Sequence, residues 1–343
     1  MPGVSRVRST IDVDALFAPL EDYRRLGLAV SGGPDSLALM LLVHRFARGT
    51  GGLDRFIVYT VDHGLRPEAA EETAFVVREA ARLGLEARVL RWQGEKPATG
   101  IQEAARLARY ALIGEAMRVD GAEALLTAHH LGDQAETILM RMAHGSGLEG
   151  LRGMDYLSEI GDVKIVRPLL GIDPKDLRAV VDAAGIVPVT DPSNSDLDYE
   201  RVRWRQAMPM LAALGLDAER LARLAERMRD ADGALEDLAS RTLDDVAERI
   251  PAGNKIVIDR ERFASVPRAV AVRVVQKALT ITGGGRKPHA LAAVEALTDR
   301  LMRERLRTTL HGCIVRSDDQ TISIAKEPGR VAAARRRREP SVS

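Results

Sequence analysis

Leu26-Gly27-Leu28-Ala29-Val30, followed by Ser31-Gly32-Gly33-Pro34-Asp35-Ser36 and then Leu37-Ala38-Leu39-Met40-Leu41-Leu42-Val43, is the stretch that decides the fold. The first five residues are a short apolar run and predict a buried strand. The last seven predict a helix packed against a sheet. Between them, Gly32 and Gly33 permit backbone angles that a Cβ would forbid. The loop can therefore turn its N–H groups inward as an anion cradle. Ser31 and Ser36 add hydroxyl donors, and the start of the helix adds unpaired N–H groups at a positive dipole end. Asp35 is the odd member, because a carboxylate repels phosphate unless a cation lies between them. That points to Mg²⁺ bridging Asp35 and a polyphosphate. The plainer alternative is a Gly-Pro turn with a helix cap.

The loop is neither Gly-x-x-x-x-Gly-Lys-[Ser/Thr] nor Gly-x-Gly-x-x-Gly. It resembles the Ser-Gly-Gly-x-Asp-Ser loop of the N-type ATP pyrophosphatases. That resemblance implies that Ser31, Gly32, Gly33, Pro34, Asp35 and Ser36 hold the phosphates of ATP.

Working outward, residues 26–130 alternate strand and helix. Strands are predicted at 55–63, 85–92 and 123–130, and helices at 68–83 and 101–119. Repeated strand–helix units predict an α/β fold with a doubly wound, mostly parallel sheet. Ligands of such sheets bind beyond the carboxyl ends of the strands. Three polar clusters fall there: 31–36, 62–66 and 129–136. In the second, Asp62 and His63 close a strand; an acid there can orient ribose or metal, or simply cap a turn. In the third, Asp133 and Glu136 are three apart and share one face of a helix near its N-terminus. Paired carboxylates near a phosphate loop suit metal-assisted chemistry or an amine nucleophile. His129 and His130 do not form His-Glu-x-x-His, so a zinc protease is unsupported.

Residues 144–151 are glycine-rich and fit either a closing loop or a plain linker. A fifth strand is expected at 165–170, a helix at 173–184 and a turn at 191–194. Arg201, Arg203 and Arg205 crowd into five positions, which suits phosphate-backbone contacts or a solvated helix face. A composition shift near 215 marks a boundary. Beyond it a long charged helix, or two, at 217–248, a strand at 256–258, helices at 270–279 and 289–303, and a hairpin of 309–315 with 321–325 are predicted. The expected domains are 1–214, a smaller and mainly helical 215–326, and a basic tail 327–343 that ends in the Arg335–Arg338 run.

Composition sets outer bounds. The chain has 343 residues and a formal net charge of +1. Aromatics are 3%, so stacking platforms for single-stranded nucleic acid are scarce. Cys313 is the one cysteine, which excludes a disulfide framework and multi-cysteine zinc or iron–sulfur sites. No run of 18 apolar residues and no signal-peptide core are present, so no membrane association and a cytoplasmic location are expected.

Taken together, SGGPDS at 31–36, VDHGLR at 61–66, QEAARLARY at 102–110, AHHLGDQAET at 128–137, GSGLEGL at 145–151, RPLL at 167–170 and DPSN at 191–194 resemble the tRNA(Ile)-lysidine synthases in kind and order. The resemblance covers 26–205. It implies an adenine nucleotide α hydrolase-like fold and a ligase. ATP would adenylate the C2 oxygen of the wobble cytidine of tRNA(Ile) with a CAU anticodon. The ε-amine of L-lysine would then displace AMP. It further implies Asp35 and Glu136 on Mg²⁺, Asp133 at the lysine amine, Arg109 and Arg201 at phosphate or RNA, and Asp62 and His63 beside the nucleotide. The later region would be the tRNA-binding domain, and a homodimer is compatible. The chain departs from the family pattern at Val202, where Asn is usual, and at Trp204, where an aliphatic residue is usual. It is short beyond 326, so a further C-terminal RNA-reading domain is expected to be reduced or absent.

The rival readings are weaker on residues. A cytidine thiolase would carry paired cysteines. A glutaminase-coupled synthetase would need a nucleophile domain. An RNA-binding module on a dead nucleotide fold would have lost Asp35 or Glu136.

Overall fold

The computed structural model describes residues 11–50, 52–64, 67–94, 96–97, 99–189, 196–250, 255–283 and 290–327. Leu65-Arg66, the 191–194 turn, most of the 283–287 basic loop and the Arg335–Arg338 run lie outside the described residues. The chain divides into two compact units. The first comprises residues 1–145 and 150–227, the second 146–149 and 228–343.

The first unit is built on a sheet of six strands among the described residues: β1 (Leu26–Ala29), β2 (Phe56–Asp62), β3 (Glu86–Arg91), β4 (Ala124–Leu126), β5 (Leu157–Ile160) and β6 (Val163–Val166). Their order is β3-β2-β1-β4-β6-β5. All neighbours are parallel except β5, which runs antiparallel to β6 as an edge hairpin. The chain winds outward from β1 through β2 and β3, then returns to start again at β4. The topological switch point is therefore the gap between β1 and β4, where such sheets open a ligand crevice.

Side chains on successive strand residues point to opposite faces, and both faces are buried. Leu26, Leu28, Phe56, Val58, Ala124, Leu126 and Val166 pack on one side. They meet α1 (Val13–Phe17), α2 (Pro34–Thr50), α3 (Ala69–Arg82) and α7 (Pro174–Ala183). Ile57, Tyr59, Leu125 and Ile165 pack on the other side, against Tyr110, Ile113 and Met117 of α4 (Ile101–Asp120). Fully burying one such side chain contributes ~2 kcal/mol, so helices on both faces are required. Gly27 is part of this fit: a Cβ there would lie 2.6 Å from the Tyr59 ring, which crosses β1.

The expected strand at 123–130 ends early, at Leu126. The remaining residues lead in irregular, extended backbone to α5 (Leu131–Ala143), which His130 caps. The glycine-rich segment 144–151 contains a short helix, α6 (Leu148–Leu151). Two further helices complete the unit, α8 (Glu200–Ala213) and the start of α9 (Ala218–Val246). Leu221 and Ala225 of α9 pack against Ala135, Ile138 and Leu139 of α5 and against Trp204, Met208 and Leu211 of α8. That packing is why the first unit extends to Arg227 and not to the expected 214.

The second unit carries an antiparallel sheet, β7 (Ala247–Ile250), β8 (Lys255–Asp259), β9 (Leu306–Leu310), β10 (Cys313–Ser317) and β11 (Thr321–Lys326), in the order β7-β8-β11-β10-β9. Beside the sheet lie the rest of α9 with α10 (Arg260–Ala264), α11 (Arg268–Gly283) and α12 (Leu291–Arg303). Helix still outweighs strand here. The expected strand 309–315 is two strands, broken at His311 and Gly312, whose positive φ values of 50° and 72° make a tight hairpin turn. Cys313 is fully buried in this core, and burial raises its thiol pKa. No helix among the described residues is long and apolar enough to cross a membrane.

Candidate active site

The loop that leaves β1 is shaped before any ligand arrives. Gly32 has φ +87°, and a Cβ there would meet Val189 at 3.1 Å and Val76 at 3.4 Å. The Ser36 hydroxyl donates to the Gly33 carbonyl at 2.9 Å and accepts the Ser31 N–H at 3.2 Å; the Ser31 and Ser36 hydroxyls lie 3.3 Å apart. The Val189 N–H donates to the Gly32 carbonyl at 3.0 Å, bracing the loop from beyond α7. Pro34 opens α2, where its missing N–H costs nothing. Asp35 follows in the first helical turn with 40% of its side chain exposed.

Across the switch point, the second element is the start of α5. His130 is its N-cap. Its Nδ1 accepts the N–H groups of Gly132 at 3.0 Å and Asp133 at 3.3 Å, while Asp133 Oδ2 accepts the His130 N–H at 3.1 Å. This reciprocal pair is a capping box with histidine in the usual Ser/Thr role. The other ring nitrogen, Nε2, lies 3.6 Å from Asp35 and 3.5 Å from Asp133. His130 therefore joins the phosphate loop to the helix that carries the second carboxylate. Burial resists a charge on this ring, but Asp35, Asp133 and Glu136 outweigh it and raise the pKa. Charging it would place a proton on the Nδ1 that holds the cap.

Glu136 is buried at 2% exposure, one turn further along α5. Arg205 of α8 grips it with both edges, Nε to Oε1 at 2.7 Å and Nη2 to Oε2 at 3.2 Å. Arg201 Nε stands 3.5 Å from Oε2, and Arg201 Nη2 donates to Thr137 Oγ1 at 3.3 Å. Both Glu136 oxygens accept from guanidinium groups, and the side chain is 3% exposed. Among the described residues no group of three His, Cys, Asp or Glu is placed to hold a metal. Asp35 alone offers a half-exposed carboxylate beside the anion cradle.

The arginine patch is not one surface. Arg201 and Arg205, four apart, face α5. Arg203 points elsewhere and donates to the carbonyls of Leu197 at 2.8 Å and Asp198 at 3.0 Å. Val202 turns inward and is buried. Trp204 packs into the α5–α8–α9 cluster, its indole N–H donating to Glu200 at 3.2 Å. The aromatic substitution is thus a packing choice.

At the end of β2, Asp62 Oδ1 accepts the Gly64 N–H at 2.8 Å, which is the capping-turn alternative. His63 Nε2 faces the Arg109 guanidinium at 3.1 Å, and its ring meets Trp92 edge-on at 6.2 Å. Burial and then Arg109 depress the His63 pKa to about 4. The Arg109 side chain is exposed. Its own pKa is lowered, first by desolvation. His129 donates to or accepts from Thr127 Oγ1 at 2.8 Å and is also depressed to about 4, by burial and by Arg167, Arg201 and Arg106 against the pull of Asp133.

Sequence reasoning missed the linking role of His130, the Arg205 grip on Glu136, and Arg167. The last is 6% exposed and donates to the Asp155 carbonyl and Ser158 Oγ, each at 2.8 Å. A signal for Arg205 was present: positions i and i+4 share a helix face, so Arg201 and Arg205 had to point together. The glycine-rich segment is braced at its end. Arg141 donates to the Gly150 and Gly153 carbonyls at 2.9 and 2.6 Å, and Gln134 exchanges two hydrogen bonds with the Met154 backbone.

The sequence model of the PP-loop domain matches residues 6–211. A tRNA(Ile)-lysidine synthase of Methylobacterium nodulans is 45% identical over 318 residues, 89% of this chain and 91% of that one. One of Rhodopseudomonas palustris is 40% identical over 333 residues, 94% and 96% of the two chains. Among solved structures, a U34-tRNA thiolase of Methanococcus maripaludis superposes with a TM-score of 0.53 at 16% identity, covering 63% of this chain and 76% of its own. That likeness speaks to fold alone. Sequence relatives at this identity and coverage, with the PP-loop domain over the catalytic unit, make the chain a member of the tRNA(Ile)-lysidine synthase family.

Proposed function

We propose that this protein uses ATP to join the ε-amine of L-lysine to C2 of the wobble cytidine of a tRNA(Ile) with a CAU anticodon, releasing pyrophosphate and AMP. The observation that carries the reading is the junction at the switch point. One histidine, His130, touches both the carboxylate of the phosphate loop and the carboxylate at the start of α5. On this reading a phosphate site and an amine-binding acid would stand side by side, as a two-step transfer needs.

In the first step the C2 oxygen attacks the α-phosphorus and pyrophosphate leaves. Ser31, Gly32, Gly33, Ser36 and the N-terminus of α2 would receive the phosphates. Asp35 would hold Mg²⁺, since this ion commonly takes one or two carboxylates and completes its shell with phosphates and water. Mg²⁺ there would neutralise charge on the leaving pyrophosphate. Asp62 and His63 would border the nucleotide, and Arg109 and Arg201 would meet phosphate or RNA. In the second step the lysine nitrogen forms the bond to C2, the C2–O bond breaks, and AMP carries off the electron pair. An ammonium has no free pair, so a proton must leave first. Asp133 would draw in the cation and accept that proton.

We assign tRNA contact to the second unit as well. A homodimer is compatible with this reading. The test is mass analysis of tRNA nucleosides after incubation with ATP, Mg²⁺ and lysine. Lysidine at the wobble position is expected, dependent on all three. An unmodified wobble cytidine with well-folded protein would overturn the proposal.

A further inference from the structure

The grip of Arg205 on Glu136 has a third participant. Asp133 lies one turn before Glu136 on the same face of α5, and its Oδ1 is 3.6 Å from the same Arg205 Nη2. The other oxygen of Asp133 is already fixed by the His130 N–H at 3.1 Å. One carboxylate is therefore held from two sides, by its own helix cap and by a guanidinium from α8. The distance from Arg205 is longer than a hydrogen bond. The cation orients Asp133 without consuming its outer oxygen.

Exposure divides the labour. The Glu136 side chain is 3% exposed and that of Arg205 is 47% exposed. Arg205 is a solvent-reaching head on a buried anchor. A carboxylate that binds Mg²⁺ must present a lone pair outward. Asp35 is 40% exposed, whereas Glu136 is 3% exposed and both its oxygens already accept charge-assisted contacts from Arg205.

Resting on the proposed lysine transfer, we infer that Glu136 is not a metal ligand but the anchor of Arg205, and that Arg205 is the positioning residue that aims Asp133 at the lysine amine. The chemistry favours a cation at this point. A guanidinium 3.6 Å away fixes the orientation of the carboxylate that receives the lysine amine. Proton and leaving group are unchanged from the step above: the proton passes to Asp133 and AMP departs from C2. Arg is suited to the task because its planar fork can bind one carboxylate bidentately while its remaining edge faces another.

The test is a single-turnover reaction of the full-length protein with tRNA, labelled ATP and labelled lysine. Adenylated tRNA and lysidine are read separately across a Mg²⁺ titration. In Glu136→Gln, adenylation and its half-saturating Mg²⁺ should stay as in the wild type, while lysine transfer falls by about 10- to 100-fold. Arg205→Lys keeps the charge but loses the fork, so transfer should fall less and half-saturation by lysine should rise. The double variant Glu136→Leu with Arg205→Met replaces the pair by hydrocarbon of similar bulk, which keeps a helix interface intact. It should fold, adenylate and still fail to transfer lysine. Transfer restored in that double variant would mean that the pair only holds α5 to α8. Glu136→Gln needing more Mg²⁺, or losing adenylation, would return Glu136 to the metal. Failure of the wild type to form adenylated tRNA would overturn the parent reading, and this inference with it.

Discussion

Two arginine–carboxylate pairs in this molecule have nearly the same geometry and opposite settings. In the first unit Arg205 meets Glu136 through Nε and Nη2 at 2.7 and 3.2 Å. In the second, Arg268 on α11 meets Asp299 on α12 through the same atoms at 2.7 and 2.9 Å. The Glu136 carboxylate is 3% exposed, whereas that of Asp299 is 35% exposed. Arg268 holds the Asp299 carboxyl below its usual range, yet water screens the pair. Bond lengths do not separate the two pairs; what each would leave behind on losing a partner does. Asp299 would simply be hydrated. Glu136 would be a charge stranded inside the protein.

The comparison can be broken most sharply at Asp35, whose side chain is 40% exposed, close to the 35% of Asp299. If location beside the phosphate loop gives a carboxylate its job, Asp35→Asn should cut adenylation by on the order of 10²–10³ while circular dichroism and Tm hold. Normal AMP release by that variant would sink the metal assignment. Next comes Arg205→Ala, which leaves Glu136 with only the longer contact to Arg201. A loss of about 2–3 kcal/mol is expected in urea unfolding, less than for a fully buried pair because Arg205 is half in water. A change below about 0.5 kcal/mol would make the pair equivalent to a surface one. Gly32→Ala forces a side chain into a positive φ against Val189 and should cost about 1–2 kcal/mol, with a parallel drop in adenylation. Unaltered stability there would show that the loop relaxes freely.

A fourth measurement uses acid. His63 and His129 titrate near 4 in the folded protein, against about 6.5 in an unfolded chain. Below 6.5 the unfolded chain takes up protons that the fold refuses. Their contribution to stability is therefore complete above pH 6.5, falls as the pH drops from 6.5 to about 4, and is constant below. His129→Gln should flatten the urea-stability profile in that window; an unchanged slope would show that His129 titrates normally. The smallest effect is expected for Arg268→Ala, with Tm inside experimental scatter. A clear fall in Tm would erase the distinction between the two pairs.

Much of the first unit was legible because its signals are local. An apolar run, two glycines and a second apolar run specify strand, loop and helix at 26–43 without knowledge of anything distant. Alternation of strand and helix then implies the parallel sheet, and the sheet implies the end at which Asp35, Asp62 and Asp133 lie. The β5 edge hairpin was not legible, since Leu157–Ile160 is a polar, half-exposed strand with little alternation to read. The break at His311-Gly312 was hidden for a related reason: apolar and polar residues continue across the turn. Partners were the hardest to read. Glu136 reads as a ligand when only α5 is considered, and Arg205 reads as a phosphate contact when only α8 is considered. Their meeting depends on how two helices pack, which no local spacing encodes. Trp204 supplies part of that packing, and its meaning too appears only in three dimensions.

The hydrogen bond from Val189 to the Gly32 carbonyl bears on how the protein is made. A ribosome releases residues 26–43 early, long before residue 189. The backbone brace and the Val189 methyl groups that back Gly32 emerge only after α7 has been synthesised. Until then the nascent loop lacks the wall that sets its curvature. Nucleotide affinity should accordingly arise late and abruptly in a series of stalled chains, at the length that frees Val189 from the exit tunnel, even though every residue of the phosphate loop has long been outside.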